Sequence, residues 1–120
     1  MNAADAYRQQ SVLTAPLPIK LAQLHERGAI LTKQIYQCYE QNDTVQARDC
    51  ITQMQDIITF LRSSLNPDLE VSSYVDATYV FYYKMTVSWF LDLKNVPEGY
   101  ESMLDFWKSW AKTWMEVRYK

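Results

Sequence analysis

VSSYVDATYVFYYKMTVSWFLDL, residues 71–93, carries apolar side chains on two sides of what its spacing makes a helix. One stripe is Val71, Tyr74, Val75, Phe81, Tyr82, Met85 and Trp89, stepping by three and four as a core-facing helix does. A second stripe, Val80, Tyr83, Val87 and Leu91, interleaves with it and falls roughly on the far side at about 100° per residue. A bundle helix ordinarily buries one face and wets the other. The second stripe therefore requires a cover, either another part of the same chain or a partner's apolar helix or tail. Asp76, Lys84 and Asp92 interrupt the run, whereas a membrane span takes about 20 mostly apolar residues in a row.

Outward from that stretch, 120 residues make one domain, with only two glycines and four prolines to punctuate it. Long helices joined by short loops follow. A net charge of −2 gives no reason to expect nucleic acid, which wants clustered Lys and Arg, nor an anionic membrane surface. No apolar leader follows Met1, so a cytoplasmic protein is expected. Cys38 and Cys50 fall on apolar helical faces, where a buried reduced thiol is the usual state and a disulfide the alternative.

Residues 1–18 have no sustained period, and Pro16 and Pro18 forbid helix across their join. They are read as an N-terminal arm, extended or short-helical, anchored by Tyr7, Val12 and Leu13. Residues 19–120 form the second unit. A first helix is predicted from Pro18 or Ile19 to about Tyr39, on Leu21, Leu24, Gly28, Leu31, Ile35 and Tyr39. Gly28 inside it costs about 1 kcal/mol against alanine, and close approach of another backbone is the expected compensation. Asp43 or Thr44 caps a second helix, Val45 to Ser64, with the stripe Ala47, Cys50, Ile51, Met54, Ile57, Ile58, Leu61 and Leu65. Phe60 stands apart from that stripe. Asn66-Pro67-Asp68 breaks the chain before the third helix, and Lys94-Asn95-Val96-Pro97 breaks it after. A fourth helix, from about Glu98 nearly to Lys120, carries Tyr100, Met103, Leu104, Trp107, Trp110, Ala111, Trp114 and Val117. The fold predicted is all-α, an antiparallel up-down four-helix bundle behind the arm.

The catalytic inventory is thin. His25 is the only histidine and flanks an apolar stripe, as a packed side chain does. There is no E-x-x-H, no four-ligand zinc set and no glycine-rich phosphate loop. No catalytic residue, metal or cofactor is expected. Trp107, Trp110 and Trp114 step by three and four on the core stripe, which makes them core filling before an aromatic binding box.

Ala6-Tyr7, then Val12-Leu13-Thr14-Ala15, a proline-led helix reaching Gly28-Ala29-Ile30, Ile57-Ile58, Leu61-x-x-x-Leu65 and a last helix finishing on Trp114 together resemble the FliS family of flagellar export chaperones. The resemblance covers nearly the whole chain. It departs at Pro16-Leu17-Pro18-Ile19, at Arg27 and at Asp68-Leu69-Glu70, where the family shows Ser-Pro with glutamate, an acidic residue and a glycine pair. What the resemblance implies is a small helical bundle in the bacterial cytosol. It would bind the disordered C-terminal segment of flagellin, hold it unpolymerised and deliver it to the flagellar type III export apparatus. The spare stripe suits that role, because a tail that folds on binding can wrap a long apolar surface. The partner-binding residues expected are Tyr7, Val12, Phe60, Val80, Tyr83, Val87 and Leu91, with the arm covering the groove until flagellin arrives. The alternative is a self-associating structural bundle using the second stripe as a homodimer interface. Phe81, placed on the core stripe, is expected to cost about 3–5 kcal/mol when cut to alanine.

Overall fold

The computed structural model describes residues 17–118, and within them the backbone is helical almost throughout. Helix α1 is Leu17–Glu40, with Pro18 in its first turn, where a missing N–H costs nothing. It ends at Asn42, whose φ of 56° is left-handed. Around that residue, Asp43 N–H reaches Cys38 O at 2.9 Å and Asn42 N–H reaches Tyr39 O at 3.2 Å. These two bonds satisfy carbonyls at the helix end, with asparagine in the position glycine usually takes. Asp43 then accepts from Gln46 N–H at 3.1 Å and caps α2, Thr44–Ser63. One residue ends a helix and the next begins another.

The break at Pro67 is held by side chains. Asn66 Oδ1 accepts from Asp68 N–H at 2.9 Å, and Ser72 Oγ donates to Asn66 O. Helix α3 is Val71–Leu91. A single 3₁₀ turn, Leu93–Asn95, joins it to α4, Val96–Arg118. The fourth helix thus starts two residues before the Glu98 expected, because Pro97 is tolerated inside a first turn.

Cross-helix contacts make every neighbouring pair antiparallel. Arg27 meets Gln53 and Gln34 meets Cys50 between α1 and α2. Arg62 meets Asp76, Gln55 meets Thr86, and Arg48 meets Phe90 between α2 and α3. Tyr36 packs on Tyr100, and His25 on Trp110, between α1 and α4. The bundle is not evenly closed. The backbone of α1 runs close to both α4 and α2, and α2 close to α3, while α3 and α4 barely approach each other. Side chains span that last seam: Tyr82 stacks on Phe106 at 4.1 Å between ring centroids, and its hydroxyl meets Ser102 Oγ at 3.0 Å.

The core of α2 is the stripe expected for it, Ala47, Cys50, Ile51, Met54, Ile58 and Leu61. In α1 the core holds Leu21, Leu31 and Ile35, with His25 and Thr32 buried among them. Gly28 is compensated differently from the expectation. A Cβ there would lie 2.2 Å from the indole of Trp107, so the close approach is made by a side chain, not a backbone. Cys38 and Cys50 are free and buried.

The third helix departs most. Its buried residues are Ser72, Val75, Tyr79, Thr86 and Trp89. Tyr74 and Phe81, placed on the core stripe from their spacing, are 77% and 57% exposed. The core line runs about a quarter-turn from where the aromatic residues pull it. Ser72 and Thr86 occupy it beside Val75, Tyr79 and Trp89, while Tyr74 and Phe81 lie off it. Phe81 packs edge-on against Tyr82, at 5.0 Å between centroids, and lies more than half open to solvent. The large cavity cost expected of Phe81→Ala has no cavity to come from.

Candidate polypeptide-binding surface

The surface left uncovered on α3 has two flanks. Toward α2 lie Val80 and Tyr83, each partly buried, with Val87 more exposed and Leu91 73% exposed. They step along one edge of the helix, so the structure brings these four expected residues together. Toward α4 lies a groove of about 530 Å³ over the seam, lined by Phe81, Met85 and Trp89 on one side and Glu98 and Gly99 on the other.

Phe60 does not join them. It lies on the flank of α2 that faces α1, where the Lys20 ammonium sits 4.6 Å from its ring centroid. The residues of α2 that face α3 are Arg48, Gln55 and Arg62. A ligand touching both Phe60 and Val87 must cross the outside of α2. Tyr7 and Val12 lie outside the described residues.

The two walls of the α2/α3 groove are unlike in chemistry. The α3 wall is apolar. The α2 wall is polar and fastened: Gln55 Nε2 donates to Thr86 Oγ1 at 3.1 Å, and Arg62 holds Asp76 through two bonds of 2.7 and 3.3 Å. The hydrogen-bonded carboxylate raises the Arg62 pKa above its ordinary value. Arg48 was not singled out from the sequence, and nothing local marks it. Its partner Phe90 is 42 residues away.

His25 offers no reactive face to a ligand. It is 0% exposed, ringed by Trp107, Trp110, Phe106 and Tyr79. Its Nδ1–H donates to Leu21 O at 2.7 Å. A carbonyl only accepts, so Nδ1 carries the proton and Nε2 accepts from the Tyr79 hydroxyl at 3.0 Å. Burial lowers the histidine pKa to about 4, the Leu21 bond opposing it. Burial, with Cys50 and Asp43 nearby, pushes the Cys38 thiol upward. Among the described residues no three His, Cys, Asp or Glu side chains group to hold a metal, and no helix is long and apolar enough to cross a membrane.

Apolar side chains along one outer edge of a helical bundle are the kind of surface on which proteins bind other polypeptides. The chain matches the family model described as flagellar protein FliS over residues 1–120, its whole length. It belongs to the FliS family, a family of flagellar export chaperones and not of enzymes. No curated protein and no solved structure matches it.

Proposed function

We propose that this chain binds the C-terminal segment of flagellin in the bacterial cytosol, keeps it from polymerising and presents it to the flagellar type III export apparatus. The observation that carries the reading is the family match across the whole chain, and the apolar edge of α3 supplies a place for it. Val80, Tyr83, Val87 and Leu91 span about 16 Å of helix, enough to seat roughly three turns of a helical ligand or a shorter extended one. A tail that orders only on docking loses conformational entropy, and apolar burial must offset that loss. The ligand fits this wall because the wall presents valine, leucine and tyrosine, not charge. Phe60 is a second anchor for a tail long enough to pass around α2. Residues 1–15, through Tyr7 and Val12, compete for the same wall, so their removal alters affinity several-fold and leaves helicity intact.

Calorimetric titration with a C-terminal flagellin peptide from the same organism tests the reading. Binding at micromolar concentration or below, with a clearly negative heat-capacity change, is the expected result. No binding in that range, or a heat capacity near zero, counts against it. A protein that instead forms a concentration-dependent dimer through the α3 edge would favour the self-associating alternative.

A further inference from the structure

Three side chains of α2 reach toward α3, and two of them bond side chains there. Gln55 is tied to Thr86 and Arg62 to Asp76. Arg48 is placed differently. Its Nε–H donates to Phe90 O at 3.2 Å, and its guanidinium carbon lies 5.1 Å from the centroid of the Phe90 ring. Its terminal nitrogens bond no other described residue, and Arg62–Asp76 is the only salt bridge among the described residues. Capping the last carbonyls of α3 accounts for the Nε bond. It leaves two solvent-exposed terminal nitrogens beside the apolar edge, where a partner's oxygens can take the place of water.

A free arginine side chain has much rotamer freedom to lose when it binds a carboxylate. Stacking on Phe90 and the bond to its carbonyl have already removed part of it. The fork is therefore prepared for a planar two-oxygen ligand. It sits at the Leu91 end of the apolar edge, with exposed Val87 nearby on α3 and exposed Val45 one turn earlier on α2.

We propose that Arg48 is a specificity-determining residue of this groove, receiving an acidic side chain of the incoming polypeptide. The occupant is then an amphipathic segment. Its apolar stripe lies on Val80, Tyr83, Val87 and Leu91, and a carboxylate at one end of that stripe meets Arg48. Charge complementarity also sets direction, since only one orientation brings the acidic residue to the Leu91 end. The proposal rests on the flagellin reading for the identity of the segment.

The experiment titrates wild-type protein and Arg48→Gln with the C-terminal flagellin peptide. It repeats both with peptides in which each acidic residue is changed singly to its amide, and with one whose C-terminus is amidated. One acid-to-amide change is expected to weaken wild-type binding about five- to tenfold, as for a prepared, partly covered charge pair. It should leave Arg48→Gln binding unchanged, and the wild-type loss should shrink as salt is raised. Arg48→Glu paired with a peptide basic at that position should recover affinity. Equal weakening of every peptide by Arg48→Gln, with a lowered urea midpoint, would show a helix cap only and overturn the proposal. So would coupling to the amidated C-terminus alone, or no effect of Arg48→Gln on any peptide. A peptide that fails to bind wild-type protein at all removes the flagellin reading as well, which is a distinguishable result.

Discussion

Helices α2 and α3 lie side by side, antiparallel and tied at three points, yet they sort their residues by opposite rules. Helix α2 buries its aliphatic stripe and gives water its charged and polar residues. Helix α3 buries Ser72 and Thr86 while Tyr74, Phe81 and Leu91 remain outside. Their neighbours account for the difference. Backbones close in on α2 from both α1 and α3, so its apolar face has a helix on either side. Among the helix backbones only that of α2 comes close to α3, and its far side meets α4 mainly through side chains, Tyr82 on Phe106 and Ser102, and Met85 on Gly99. A position therefore enters the core by facing another helix, whatever its hydropathy. Apolar residues left off that line become surface for a partner.

The sharpest break in the comparison is expected from a matched pair of truncations. Ile58→Ala in α2, at a fully buried site, should cost about 2–5 kcal/mol, whereas Phe81→Ala in α3 should cost below about 1 kcal/mol. Urea midpoints measure both. Equal losses would put Phe81 back in the core.

The next effect concerns the polar core that α3 shares with α1. His25 titrates near 6.5 in the unfolded chain and only near 4 when folded. Between those values the unfolded state binds the extra proton, so stability falls as pH drops from 6.5 to 4 and the loss levels off below 4. Its size is on the order of 3 kcal/mol, at about 1.36 kcal/mol per unit. Carboxylates titrate in the same window, so the informative quantity is the difference from His25→Gln, whose profile should be flatter. Parallel profiles would mean the imidazole is not held neutral.

A smaller effect follows from Thr86, which accepts from Gln55 and donates to Tyr83 O. Thr86→Val keeps the shape and strands the Gln55 amide, and should cost about 1 kcal/mol. A gain in stability would show that the buried hydroxyl is not needed for packing α3 on α2.

The smallest change in the free protein is expected for Val80→Asp with Val87→Lys. Val87 should contribute within about 0.5 kcal/mol and the partly buried Val80 somewhat more. The pair should nevertheless abolish flagellin binding, because each charge would be buried unpaired in the complex. Lys84→Gln, on the outer face between the flanks, should disturb neither property. If the double variant unfolds the protein as Ile58→Ala does, the α3 edge is ordinary core.

The contrast between the two helices also marks how far the sequence could be read. Four helices, their order and the cap at Asp43 are local matters of periodicity and turn chemistry, and they were legible. So was the α2 stripe, where every buried residue is apolar or small. In α3 the buried positions 72, 75, 79, 86 and 89 keep helical spacing, but three carry hydroxyls, and two of those, Ser72 and Thr86, are small polar residues. Burying Ser72 and Thr86 requires acceptors at Asn66 O and Tyr83 O, and pattern alone does not supply them. Large aromatic residues on the flanks then drew the stripe toward Tyr74 and Phe81. That Val80, Tyr83, Val87 and Leu91 share one edge of α3 was legible from their period, whereas the partial burial of Val80 and Tyr83 was not. Phe60 was grouped with it only by being off its own helix's stripe, and which side of α2 it takes depends on where α1 lies.

The gap between the α3 and α4 backbones has a consequence in time as well as in shape. Protection of an amide from exchange follows the free energy of the smallest opening that frees it. For α1, hemmed in by two close neighbours, that opening is nearly the whole molecule. For α3 it is release from α2, loss of the Tyr79–His25 bond and the unstacking of Tyr82 from Phe106. Deuterium should therefore enter α3 well before α1, in a protein that is still folded by every global measure. The helix that carries the apolar edge would then be the leaf of the bundle that breathes, and a polypeptide docked as proposed would reveal itself as slowed exchange along Val80–Leu91.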